Sequence, residues 1–464
     1  MSASLLQVDE VKSRKETSPQ ISRGFATNLA TVFIGQAACA ALALGIEITY
    51  ARFLGPLGRG QISLCMMVIA AGTLLAGLGG EIPIVIWTAA GREKVSNWLP
   101  AVVFWALLGC VLTGILWRFL FWQTRPAFLN GITPAMASLV FAAVPLSVAF
   151  TYLMAFLTGM ESFQLRAWCA LLTQSAELAA LLALVLLVQR SAVMGIWALV
   201  LGLAAATIFC LIALQKTMRR PQALRFSGNA LGASLSLGLR GQLGNLATFF
   251  NYRLDVFIVN YFLSPAQVGL YSLGVILSES LWQIPHAAAV ALLPRTARTV
   301  EGGANDFTCT VIRQVVLLGC ISGFALAIIS PILIPLLFGR QFAPSIAIVW
   351  WILPGTIVFA VAKVMSADLS ARGKPEYSSA FAIVSMVATV VLDLKFIPVM
   401  GIRGAALASS IAYTLDGILI AFALRRELRV SWKTLLIPTG TDLAVYRNIS
   451  TRFLIWLRPS MAGN

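Results

Sequence analysis

Apolar runs of about 20 residues recur along this chain and constrain its fold more than any other feature. About 20 apolar residues in a helix cross the ~30 Å hydrocarbon core of a bilayer, whereas barrel strands show alternating polarity over about ten residues. The pattern predicts an all-α polytopic membrane protein with twelve transmembrane helices, near 25–53, 61–89, 97–121, 135–160, 165–188, 194–216, 233–262, 267–296, 308–337, 344–369, 376–398 and 402–424.

The composition supports this prediction and excludes several classes of protein. Hydrophobic residues make up 59% of the chain and charged residues only 11%, against about 25% charged in soluble domains. The net charge of +16 comes from basic residues in loops and tails beside the apolar runs. That placement indicates contact with anionic lipid rather than with nucleic acid. The seven cysteines are scattered and form no CxxC motif, so we expect neither a disulfide framework nor a metal site.

One short motif occurs twice, 209 residues apart. "RFLGPLGRGQISL" (52–64) follows the first predicted span, and "YFLSPAQVGLYSL" (261–273) follows the seventh. The residues shared at this offset are Phe53 and Phe262, Leu54 and Leu263, Pro56 and Pro265, Gly60 and Gly269, Ser63 and Ser272, and Leu64 and Leu273. Both copies stand at the same place in a six-helix half, which predicts a tandem duplication related by an axis along the membrane normal.

The predicted organisation follows from these spans and from the basic residues. Lys and Arg near the span ends number nineteen on one side and seven on the other, which places both termini in the cytoplasm. The polar start of the chain predicts no cleavable signal peptide. We expect a tail over 1–24, a bundle over 25–216, a cytoplasmic linker over 217–232, a second bundle over 233–424, and a cytoplasmic tail over 425–464 with an interfacial helix at 444–459.

The seventh predicted span carries the most polar groups. At 100° per residue, one stripe of this helix contains Arg240, Gly244, Thr248, Asn251 and Asp255. Gln242 and Arg253 form a second polar line on another face. Hydrocarbon cannot satisfy polar groups on two faces, so we expect this helix to border a water-filled cavity or another helix.

Two hypotheses compete for the arginines of this span. Arg253 and Arg240 could hold an anionic substrate, because a guanidinium matches phosphate geometry in a fork. Alternatively Asp255 or Glu279 neutralises an arginine to hold the bundle together.

Other ionisable residues within the predicted spans are candidates for ion coupling or charge pairing. Glu81, in "GLGGEIP", and Glu279, in "SESLWQIP", lie in spans 2 and 8, which are both interrupted by proline. Paired broken spans in two halves point to a transporter's site. Glu177 lies near the middle of span 5. Each glutamate could bind a proton or cation, or partner an arginine.

Lys363, Asp368 and His286 have weaker claims. Lys363 and Asp368 could reach the interface by snorkelling from span 10, although Lys363 remains a candidate substrate contact. A lone histidine such as His286 is more often a packed, hydrogen-bonded residue than a proton switch.

Enzymatic chemistry has no support in the motifs. No phosphate-binding glycine loop follows a strand, so the chain offers no nucleotide site. A membrane glycosyltransferase or polymerase would need a sizeable polar loop, and the loops here are mostly short.

Several stretches resemble the polysaccharide and O-antigen flippases of the multidrug/oligosaccharidyl-lipid/polysaccharide exporter superfamily. They are "ARFLGPLGRG", "NYRLDVFIVNYFLSPAQVGLYSLG", "LLPRTAR" and "SARGKPEYSSAFAIVSMVATVVLDLKFIPVMGIRGAALASSIAY". The resemblance implies a V-shaped, MATE-like pair of six-helix bundles in the bacterial inner membrane.

The resemblance also implies a function. The protein would flip an undecaprenyl-diphosphate-linked oligosaccharide by alternating access, with the diphosphate in a cationic cavity at Arg253, Arg240, Asn251 and Lys363. No cofactor is expected, and proton or sodium coupling would fall to Glu279, Glu177, Glu81 or Asp255. Expected partners are membrane lipids and the polysaccharide polymerase and export machinery. A cation-coupled multidrug exporter, which would depend on Glu279 and Glu177, and a non-transporting scaffold remain the alternatives.

Overall fold

The computed structural model describes residues 23–90, 95–217, 228–283 and 304–440, and every regular element in these ranges is helical. The N-terminal half contains α1 (Arg23–Gly77), α2 (Glu81–Ala90), α3 (Val95–Arg118), α4 (Pro134–Gly159), α5 (Phe163–Leu187) and α6 (Ala192–Thr217). The C-terminal half contains α7 (Gly228–Phe262), α8 (Pro265–Glu279), α9 (Ala304–Leu337), α10 (Ser345–Ala371), α11 (Pro375–Met400), α12 (Ile402–Leu428) and the short α13 (Trp432–Leu436). The all-α prediction is confirmed.

Nine helices within the described ranges are long and apolar enough to cross a membrane. One of them, Gly35–Gly77, contains two of the predicted spans. Two further predicted spans correspond to α7, which is more polar, and to the 15-residue α8. The count is therefore compatible with twelve crossings. The chain is a multi-pass membrane protein.

Spans 1 and 2 meet at a sharp bend instead of a loop. Gly55 adopts φ 66° and ψ −174° inside α1, and Pro56 follows it. This positive φ is readily available only to glycine, and proline is well suited to the first turn of a new helix. The second helix therefore starts at the bend, and Arg59 lies within it. The gap predicted between the spans ending near 53 and beginning near 61 is therefore not a loop, and Arg59, which lies in it, is buried.

The two copies of the repeated motif pack directly against each other. The hydroxyl oxygens of Ser63 and Ser272, which correspond at the 209-residue offset, lie 3.0 Å apart. A Cβ atom added to Gly60 would lie 1.6 Å from the carbonyl oxygen of Pro265, and one added to Gly269 would lie 2.0 Å from that of Pro56. The contact is reciprocal, as a two-fold relation between the halves requires. Only glycine permits this close approach of the helices.

Spans 2 and 8 are both interrupted, as predicted, but proline does not cause the break in span 2. Helix α1 ends at Gly77, and Leu78 and Gly79 adopt positive φ before α2 begins. Pro83 lies in the first turn of α2, where proline is tolerated. In span 8, α8 passes into a 3-10 turn at Ser280–Trp282. His286, most of the linker and the predicted interfacial helix lie outside the described residues.

A second glycine contact joins the halves near the other end of the bundle. A Cβ on Gly79 would lie 2.2 Å from the carbonyl oxygen of Gly238 in α7. The Gln242 amide donates to the carbonyl of Leu74 in the other half, which satisfies one member of the second polar line of α7. Close contacts between the halves therefore lie toward both ends of the bundle.

Candidate functional site

A cavity of about 760 Å³ lies within the C-terminal half, among α7, α10, α11 and α12. Three of the four predicted substrate residues, Arg240, Asn251 and Lys363, line it together. Serines from α10 and α11 supply further polar groups, and the rest of the lining is largely apolar. Such a wall suits an anionic or hydroxyl-rich ligand inside a membrane domain.

The polar stripe of α7 forms one wall of this cavity. Arg240, Gly244, Thr248 and Asn251 line it in succession, as helical periodicity predicts. Arg240 is exposed and makes no ion pair within the described part of the chain. Asn251 is buried, and its side-chain oxygen has no hydrogen-bond partner there. The Arg240 side chain is therefore accessible to a ligand, and the Asn251 oxygen is an unsatisfied polar atom in the wall of the cavity.

Lys363 points into an aromatic cluster instead of snorkelling to the membrane interface. Its ammonium nitrogen lies 4.1 Å from the ring centroid of Trp282, 5.2 Å from Tyr252 and 5.3 Å from Phe359. A cation over aromatic faces is stabilised by about 0.5–2 kcal/mol. The snorkelling hypothesis is also wrong for Asp368, which is fully buried and accepts hydrogen bonds from Thr308 and Arg372.

Arg253, the first-ranked substrate residue, is paired internally in this conformation. Its two terminal nitrogens donate to the carboxylate oxygens of Glu279 at 3.3 and 2.8 Å. The pair joins α7 to the end of α8, where span 8 leaves the α-helical conformation. The charge-pairing hypothesis therefore describes this state.

Asp255 lies deeper than the rest of its stripe, in a buried hydrogen-bond network. The hydroxyls of Tyr271 and Ser409 donate to its Oδ2 atom at 2.5 and 3.5 Å, and the backbone N–H of Val256 donates to Oδ1 at 2.7 Å. Neighbouring Asp393 is fully buried, and neither of its carboxylate oxygens has a partner among the described residues. A carboxylate buried without such a partner is costly unless a proton, a cation or a water molecule satisfies it.

The remaining predicted glutamates lie outside this cavity. Tyr50 donates to Glu177 at 3.0 Å within the N-terminal half. Asn245 of α7 donates to Glu81 at 3.0 Å, which places Glu81 at the junction of the halves, beside the break in span 2. No group of three or more His, Cys, Asp or Glu side chains arranged to hold a metal occurs in the described ranges.

Several charged residues escaped the sequence analysis although the same rule would have found them. Asp393 and Asp416 lie inside apolar runs, and Asp416 also lines the cavity. Glu47 forms a buried ion pair with Arg59 at 2.7 Å. All three are charges at membrane depth, which is the criterion that selected Glu81 and Glu279.

The helices, the glycine contacts between the halves and the polar cavity together define a membrane transporter-like fold of two bundles. Among solved structures, the fold is similar to the lipid II flippase MurJ in an inward closed conformation, with a TM-score of 0.72, 14% identity and 93% of each chain covered. It is also similar to an inward-facing multidrug resistance MATE family transporter of the MOP superfamily, with a TM-score of 0.63, 15% identity and coverage of 84% of this chain and 94% of that one. A MOP superfamily transporter from Pyrococcus furiosus gives a TM-score of 0.55 at 15% identity, with coverage of 86% and 94%.

The family of this chain follows from its sequence. A model of the polysaccharide biosynthesis protein family matches residues 49–347, so the chain belongs to that family. Comparison with curated proteins finds no match. The expected similarity of fold to the exporter superfamily is confirmed.

Proposed function

We propose that this protein flips an undecaprenyl-diphosphate-linked oligosaccharide across the bacterial inner membrane, with both termini in the cytoplasm. The observation that carries the proposal is the convergence of Arg240, Asn251 and Lys363 on one cavity. A guanidinium and an ammonium suit the diphosphate, and the amide and serine hydroxyls suit sugar hydroxyls. Family membership in polysaccharide biosynthesis supports this choice of cargo.

Alternating access accounts for the contacts between the halves. One close contact is made by Gly60 and Gly269, and the other by Gly79 and Gly238. Opening one contact while keeping the other would expose the interior to one side at a time. The breaks in spans 2 and 8 lie where such rocking needs compliant backbone.

Coupling to a proton or a sodium ion falls to the buried carboxylates beside the cavity. Asp255 accepts hydrogen bonds from its neighbours, whereas Asp393 accepts none from the described residues. A proton or cation arriving at Asp393 would neutralise it. Glu177 and Glu279 already accept hydrogen bonds in this conformation. Tyr50 donates to Glu177, and Arg253 donates to Glu279.

The test is flipping in proteoliposomes, using lipid-linked oligosaccharide extracted from cells that lack the protein. Surface accessibility of the glycan, read by mass spectrometry, reports the leaflet. Arg240→Gln should lower the rate at least about tenfold, because it removes a charge-assisted contact. Arg403→Gln is the matched control, since Arg403 is exposed and lies outside the cavity lining. Equal rates for both variants would contradict the assignment of the cavity.

A cation-coupled multidrug exporter is the second candidate, because Asp416 places an acidic group in the same cavity. Efflux of a cationic dye that depends on Asp416 but not on Arg240, with no flipping of the lipid-linked glycan, would favour this alternative.

A further inference from the structure

A long apolar groove runs between α3 and α4, on the N-terminal half and outside the polar cavity. It encloses about 760 Å³. Small residues such as Cys110, Gly114 and Ala149 line it, with the larger Leu107 and Phe141 beside them. Helix α3 packs more extensively on α1 and α7 than on α4, which leaves the space between α3 and α4 unfilled. Leu107 and Phe141 are exposed, so the groove opens sideways toward lipid.

The groove is longer than one leaflet of the membrane. Val103 and Arg118 line its opposite ends on α3, which corresponds to about 22 Å of helix. Half of the hydrocarbon core is only about 15 Å thick. A chain that enters at one interface and fills this groove therefore passes the bilayer midplane.

One end of the groove carries a positive charge at the level expected for the membrane interface. Arg118 is exposed, lies 5.9 Å from the ring centroid of Trp122, and has no ion-pair partner in the described ranges. Trp117 and Phe121 extend the aromatic cluster. Tryptophan rings mark the headgroup level, and an unpaired arginine beside them complements a lipid phosphate.

The other end of the groove reaches the break in span 2. Tyr152 lines the groove, and its hydroxyl donates to the carbonyl of Gly77 at 2.6 Å, where α1 ends. The same ring lies against Gly80, where an added Cβ would lie 2.2 Å from the hydroxyl oxygen. A chain seated along the groove would therefore end beside the helix break next to Glu81.

We propose that this groove binds the isoprenoid chain of a polyprenyl-linked substrate, with a phosphate of that lipid at Arg118, in a step distinct from the one in which the diphosphate occupies the polar cavity. The inference rests on the proposed function, since it assigns the lipid portion of the same cargo. A polyprenyl chain is long enough to cross the midplane, whereas the acyl chain of an ordinary phospholipid anchored at Arg118 ends near it. A groove with a positive charge at one end and a long apolar lining beyond it fits a phosphorylated isoprenoid.

The test is photo-crosslinking of the full-length protein in nanodiscs. The probe is undecaprenyl phosphate with a diazirine in its isoprenoid chain, and phosphatidylglycerol with a diazirine in an acyl chain is the comparison. Val111→Trp fills the groove, and Leu112→Trp is its matched control. Val111 and Leu112 are adjacent, and 59% and 56% exposed respectively, but only Val111 lines the groove.

We expect the isoprenoid probe to label peptides of α3 and α4, and unlabelled undecaprenyl phosphate to compete. Labelling should fall about tenfold in Val111→Trp and in Arg118→Gln but persist in Leu112→Trp. Equal labelling by the phospholipid probe without competition, or equal labelling of both tryptophan variants, would overturn the proposal.

Flipping by the same preparations separates this inference from the proposed function. If wild-type protein flips lipid-linked glycan but its groove is not labelled, the groove proposal alone fails. If wild-type protein does not flip the glycan, the proposed function fails whatever the labelling shows.

Discussion

Substituting alanine for Gly60 should open the bundle at the contact between the repeated motifs. The added Cβ would lie 1.6 Å from the Pro265 carbonyl oxygen, and real Cβ contacts essentially never fall below 3.0 Å. The helices must therefore separate there by about 1.4 Å. Overpacking of this kind costs about 1–3 kcal/mol, which corresponds to a shift in the conformational equilibrium of about 5- to 150-fold.

The clash sets the direction of the effect. Alanine favours a helix over glycine by about 1 kcal/mol in both conformations, so only relief of the clash favours the state in which α1 and α8 have separated. Gly269→Ala should act in the same way, because its Cβ would lie 2.0 Å from the Pro56 carbonyl oxygen. The double variant should add little to either single variant, since each already forces the same separation.

The assay is a distance measurement by double electron–electron resonance between spin labels at Leu57 and Ala266, with the native cysteines replaced. Longer distances should appear in Gly60→Ala. Gly45→Ala is the matched control on α1, because its Cβ would lie at an ordinary 3.5 Å from Leu178. An unchanged distance distribution in folded Gly60→Ala protein would refute the argument that this contact holds the halves together.

Three further predictions concern polar groups at membrane depth. Arg253→Ala or Glu279→Ala alone should lower stability in thermal unfolding by about 3–5 kcal/mol, whereas an Arg253→Met/Glu279→Leu double variant should recover most of it; no recovery would mean that the arginine has another essential partner. Asp393→Asn should change stability by less than about 1 kcal/mol yet abolish the dependence of flipping on an imposed proton or sodium gradient, and a dependence that survives would remove Asp393 from coupling. Asn260→Ala should loosen the same end as Gly60→Ala by about 1–3 kcal/mol, because Asn260 donates to the carbonyls of Phe128 and Asn130 at 2.9 Å; the same spin-label pair tests it.

The helices could be predicted from the sequence because the membrane leaves few alternatives. Each crossing must satisfy its backbone internally, so an apolar run of sufficient length becomes a helix. The span predicted at 135–160 is the helix Pro134–Gly159, and the span predicted at 402–424 begins at Ile402. The junction of spans 1 and 2 was placed less well, because "GPLG" resembles a loop, whereas Pro56 begins the second helix directly after the bend at Gly55.

The partners of the charged residues could not be predicted in the same way. Hydropathy shows that Arg253 and Lys363 lie at membrane depth but not which helices adjoin them. The contact of Arg253 with Glu279 depends on how α7 meets the end of α8. The contact of Lys363 with Trp282 depends on how α10 packs against the 3-10 turn that follows α8. Such packing depends on side chains from separate parts of the chain, which no local pattern encodes.

At the 209-residue offset, the two halves share residues where they pack against each other but do not share their buried ion pairs. At the 209-residue offset, Gly60 and Ser63 correspond to glycine and serine, whereas Arg253 corresponds to Leu44 and Glu279 to Ala70. The reverse holds for the N-terminal pair of Glu47 and Arg59, which correspond to Val256 and Val268. A contact across a two-fold axis needs the same small residues on both sides. A substrate with one charged end and one apolar end needs no such symmetry, so each half is free to carry its own buried ion pair. We therefore expect substitutions at the shared glycines to have matching effects in the two halves, and substitutions of the charges to have unequal ones.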